Sequence, residues 1–97
     1  MARNQQEVLA EARFSAKSND ELYFITLTLV EPSGCFDYGN RHALGYEVFD
    51  PNGKCVYGTG FDARYDSRFN TVDSFNKYAV EFVKNQIRKE FEVRRIN

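Results

Sequence analysis

Cys35, Asp37 and His42 bring a thiol, a carboxylate and the single histidine of the chain into one short segment, so they are the first residues to weigh for chemistry. Such side chains ligate zinc, and a cysteine beside a histidine makes an activated nucleophile. Zinc sites show paired ligands at short spacings, whereas here one cysteine precedes one histidine, with Cys55 as a third donor from a separate hairpin. A cysteine hydrolase also needs an oxyanion hole and an orienting group around a cleft, more than one sheet and one helix readily build. The expectation is no metal, no cofactor and no catalytic residue.

Glu47 and Asp50 do not form an acid–base pair, because residues three apart on a strand face opposite ways and Asp50 belongs to the turn Asp50-Pro51-Asn52-Gly53. Gly58-Thr59-Gly60 is not a phosphate loop, since no Lys-Ser or Lys-Thr follows it and no helix opens from it.

Segments 31–43 and 62–70 carry the chemistry of recognition instead. The first holds Phe36, Asp37, Tyr38 and Arg41, and the second holds Arg64, Tyr65, Asp66, Arg68 and Phe69. Tyr, Phe and Arg carry binding energy at protein interfaces, and long connections in a small domain are often functional. These residues form the expected protein-binding site. Aromatics tucked beneath their own segments look the same in sequence, so exposure decides whether they are anchors.

The elements that must position them follow from periodicity. Over 8–17, Val8, Ala10, Ala12, Phe14 and Ala16 alternate with Glu11, Arg13, Ser15 and Lys17, with Leu9 the one exception, which favours a half-buried strand over a helix. Ser18-Asn19-Asp20-Glu21 supplies a turn into 22–30, a strand with Tyr23, Ile25, Leu27 and Leu29 on one face. The Pro-Asn-Gly turn joins 44–49 to 55–61 as a second hairpin. Gly58 and Gly60 share a face of its second arm, and the closing helix is expected to pack over them. From Val72 the period changes: Val72, Phe75, Ala79, Phe82, Val83, Ile87 and Phe91 recur at threes and fours, an amphipathic helix capped by Thr71 or Asp73. The expected fold is α+β, an antiparallel four-stranded sheet of two hairpins packed against one C-terminal helix. With 97 residues it forms a single domain over 1–97.

A net charge of -1, from 13 basic and 14 acidic residues, gives no global attraction to nucleic acid or to an anionic membrane. No apolar run reaches the roughly 20 residues of a bilayer span, residues 1–7 hold no apolar signal segment, and two cysteines make no disulfide framework. A cytoplasmic chain is expected. The charges are segregated, with Lys84, Arg88, Lys89, Arg94 and Arg95 clustered near the end and carboxylates along the sheet. Complementation of the helix dipole explains the basic end most simply.

Three strands followed by a helix, with a Gly-Lys hairpin before it, resemble the latter part of a double-stranded-RNA-binding domain over 22–88. In that family a lysine cluster opening the last helix grips phosphate. Here Thr71-Val72-Asp73-Ser74-Phe75-Asn76-Lys77 carries one lysine and an aspartate. A second route to nucleic acid stacks single-stranded bases on exposed Tyr46, Tyr57 and Phe61, helped by Arg88, Lys89, Arg94 and Arg95. Acidic Glu47 and Asp62 oppose it.

The leading expectation is a non-catalytic protein-interaction module, a small inhibitor or adaptor. One example is a phage or mobile-element protein that blocks a host nuclease or defence complex in the manner of an anti-CRISPR. Carboxylates Asp37, Glu47, Asp62 and Asp66 would then occupy the partner's basic channel. Nucleic-acid binding is the alternative, and a homodimer through the edge of strand 8–17 is open.

Overall fold

The computed structural model describes residues 8–30, 43–62, 67–69 and 71–97, with the backbone alone described over 59–62 and at Ser67. The chain runs β1 (Val8–Ser18), β2 (Glu21–Val30), β3 (Ala43–Phe49), β4 (Cys55–Asp62), a 3-10 turn (Ser67–Phe69), α1 (Val72–Gln86) and β5 (Glu92–Arg95). The strands form one antiparallel sheet in the order β4-β3-β2-β1-β5. The helix packs on one of its faces, an α+β architecture.

Local chemistry accounts for both hairpins. Asn19 takes the left-handed conformation (φ 52°) that the tight β1–β2 turn demands, a region asparagine tolerates better than most residues. In the β3–β4 turn the Asp50 side chain accepts from the backbone N–H of Asn52 and of Lys54, both at 2.9 Å. The Gly53 N–H donates to the Asp50 carbonyl at 2.8 Å, and Gly53 holds φ at 87°, where a Cβ would be strained. Alternation then sorts the side chains: Ala12, Phe14 and Ala16 of β1, Ile25, Leu27 and Leu29 of β2, and Leu44 and Tyr46 of β3 are all buried on the helix side.

Thr71 caps the helix, its hydroxyl accepting from the Ser74 N–H at 3.1 Å. Phe75, Ala79 and Val83, spaced by fours, form the stripe that meets the sheet. Fully burying each large apolar side chain contributes roughly 1.5–3 kcal/mol.

Three expectations are corrected. The sheet has five strands, not four, because the chain turns back after the helix and β5 pairs with β1 in the register Phe14↔Arg95 to Lys17↔Glu92. The helix therefore stops at Gln86, short of Phe91. Ile87 is extended (φ -121°, ψ 169°), and Val93 inserts into the core. Ile87 and Phe91 keep their expected core contacts from the connection, where Phe91 meets Tyr23 edge to face at 5.8 Å between centroids. Strand pairing and burial of Val93 outweigh the intrinsic helix preference of Arg-Lys-Glu.

The third correction concerns the glycines. Gly58 pairs with Glu47 and Gly60 with Gly45, on the face turned away from the helix. The helix covers Tyr46, whose ring meets Phe82 at 6.1 Å. The β1 edge considered for a homodimer is occupied by β5 from Phe14 to Lys17.

Candidate interaction surface

The residues of β1, β2 and β3 that alternate with the core set make up the open face of the sheet. Its middle row crosses β1 to β4 and is extended by Ile96, the residue that follows β5. The β5 side begins with Ile96, whose N–H donates to the Arg13 carbonyl at 2.8 Å, and the row continues Arg13, Thr26, Glu47, Gly58. The adjacent row reads Arg94, Ser15, Phe24, Phe49, Cys55, and on the other side lies Glu11, Thr28, Gly45, Gly60.

Large apolar side chains stand out of this face: Leu22 is 38% exposed, Phe24 39% and Ile96 54%. Phe24, Phe49 and Ile96 border a shallow groove of about 360 Å³ whose lining also includes Arg13, Thr26, Phe14 and Ile25. Arg13 leans on Glu11 at 3.7 Å, an exposed pair of the kind that contributes about 1 kcal/mol or less. Antiparallel sheets often present one solvated face, normally a polar one. This face instead mixes Leu, Phe and Ile with single charges.

Of the residues expected to bind protein, Phe36, Asp37, Tyr38, Arg41, Arg64, Tyr65 and Asp66 lie outside the described residues. Their two segments share a point of departure, because Val30, Ala43 and Asp62 end their strands side by side. Arg68 is half-buried, its guanidinium 5.6 Å from the Phe69 ring centroid and 6.0 Å from that of Tyr78. Phe69 is corrected: it is fully buried, edge to face with Phe75 at 6.4 Å and with Phe82 at 5.3 Å. It anchors its own segment under the helix, so its ring offers nothing to a partner.

Cys35 and His42 also fall outside the described residues. Cys55 is exposed on the open face, its thiol donating to the Tyr57 carbonyl at 3.7 Å. Among the described residues no group of three or more His, Cys, Asp or Glu is placed to hold a metal.

The base-stacking platform is likewise corrected at Tyr46, which is 2% exposed beneath the helix. Burial, aided by the nearby Tyr57 hydroxyl, pushes its pKa up to about 12. Tyr57 remains exposed, and Phe61 is described by its backbone only. The cations split as well. Arg95 bonds the Asn76 side chain at 3.0 Å on the helix side, Arg94 alternates onto the open face, and Arg88 pairs with Glu90 at 3.0 Å. A groove of about 400 Å³ at the helix end gathers Lys84, Arg88 and Lys89, with Glu92 also in its wall.

The sequence did hold a signal for the open face. Leu22, Phe24 and Val30 stand between the inward residues of β2, so this strand is apolar on both sides over much of its length.

Comparison with protein-family models, with curated proteins and with solved structures finds no match for this chain.

Proposed function

We propose that the protein is a non-catalytic protein-interaction module, an inhibitor or adaptor, that docks through the open face of its sheet. The observation that supports this reading is the exposure of Leu22, Phe24 and Ile96 on that face, around a groove framed by Arg13. Apolar side chains in the middle of a patch supply binding energy once water is excluded, and single charges around them set specificity. The composition of segments 31–43 and 62–70, which leave from one end of the sheet, points the same way.

Affinity capture of the tagged protein from its native host, run beside Phe24→Glu and Ile96→Glu variants, tests the proposal. A stoichiometric protein that the parent retains and both variants lose, with unchanged thermal melts, is the expected result. A partner retained by both variants, or nucleic acid alone in the eluate, would overturn it. Nucleic-acid binding is the second reading, favoured by the Lys84–Arg88–Lys89 groove. A filter-binding titration at low salt distinguishes it, because phosphate contacts give a steep salt dependence.

A further inference from the structure

We propose that the partner of the open face is a second copy of this chain, stacked face to face about a two-fold axis that runs along β2. The inference rests on the open-face reading above and names its occupant. It follows from the order of residues in the middle row: Ile96, Arg13, Thr26, Glu47, Gly58. A two-fold along β2 lays β1 of one copy over β3 of the other and β5 over β4.

Each position in the row then meets its complement. Arg13 faces Glu47 twice, once in each direction. Ile96, the bulky end, faces Gly58, which has no side chain, and Thr26 faces itself on the axis. In the neighbouring row Phe24 falls on the axis against its copy, as two facing aromatics at the centre of an isologous contact. On the other side Glu11 lies over Gly45, again a long side chain over an empty position. The alternative two-fold, across the strands and through this row, sets Arg13 against Arg13 and Glu47 against Glu47. Charge therefore selects the axis along β2.

The geometry of stacked sheets accommodates the contact. Packed sheets lie about 10 Å apart, a gap that one extended Arg and one Glu cross together. Their usual crossing of about 30° moves β1 relative to β3 by only roughly 2.5 Å, within the reach of Arg13, and the outermost strands by roughly 5 Å. Five strands make a patch about 24 Å wide, at the small end of specific interfaces, so a dimer that dissociates in the micromolar range is expected.

Sedimentation equilibrium of the full chain across micromolar to millimolar concentration provides the test. The expected result is a reversible monomer–dimer equilibrium, with Arg13→Glu and Glu47→Arg each weakening the dimer at least tenfold. The double reversal Arg13→Glu/Glu47→Arg restores it. Gly58→Phe, a position where an added Cβ meets only ordinary contacts, is expected to block association and leave the monomer folded. A monomer at every concentration overturns the proposal, as does a dimer that both single reversals and Gly58→Phe leave intact. If the chain is monomeric yet Phe24→Glu still abolishes capture of another protein, the second copy fails as occupant and the open-face reading stands.

Discussion

The two faces of the sheet are made from alternating residues of the same strands, yet they differ in what limits a substitution. On the helix side Phe14, Ile25 and Leu27 are enclosed by Phe75, Ala79 and Val83, and a lost methylene leaves a cavity. On the open side Phe24 and Ile96 keep solvent contact, so the same truncation costs less folding energy. One face is read out in stability, and the proposed function has the other read out in association. Neighbouring residues in one strand therefore answer different experiments.

The sharpest way to break the comparison is to truncate one phenylalanine on each face. Phe14→Ala is expected to destabilise by about 3–5 kcal/mol in urea unfolding, and the partly buried Phe24→Ala by about 1–2 kcal/mol. Equal losses would mean that something covers the open face within the monomer. Within β5 the contrast narrows to adjacent residues. Val93→Asp puts a carboxylate into the core and should cost about 2–3 kcal/mol, whereas Arg94→Asp should leave the unfolding midpoint nearly unchanged. Similar effects from both would remove the case for β5 as a strand packed under the helix.

The mildest test uses pH. Tyr46 has its pKa raised to about 12 in the fold from an ordinary value of 10.0. Above pH 10 the unfolded chain releases this proton and the folded chain keeps it, so stability is full below pH 10 and falls as pH rises toward 12. The slope contributed is at most about 1.4 kcal/mol per pH unit. Tyr46→Phe should flatten that part of an alkaline stability profile, and a profile unchanged by the substitution would place Tyr46 outside the core.

Much of the architecture was legible in the residues. Alternation in 8–17 and 22–30, the Asp50-Pro51-Asn52-Gly53 turn and the spacing Phe75, Ala79, Val83 each act over a few residues, where stereochemistry is decisive. Of the candidate site less was legible. Phe69 and Tyr46 have interface chemistry in sequence and core positions in the fold, because an aromatic ring serves either place and its neighbours along the chain do not say which. Leu22 and Phe24 were visible as apolar residues, but their exposure depends on where the helix lies.

By itself, then, the sequence determined the hairpins, a helix start near Thr71 or Asp73 and the division of each strand into two alternating sets. Only the tertiary structure decided which set of β3 and β4 the helix covers, placing Tyr46 inside and Gly58 outside, since in these strands both alternating sets mix apolar or small residues with polar ones. It also decided that Glu92–Arg95 is a strand. Four residues carry too little intrinsic preference to choose a conformation, and the pairing partner that chooses for them, Phe14 to Lys17, lies at the other end of the chain.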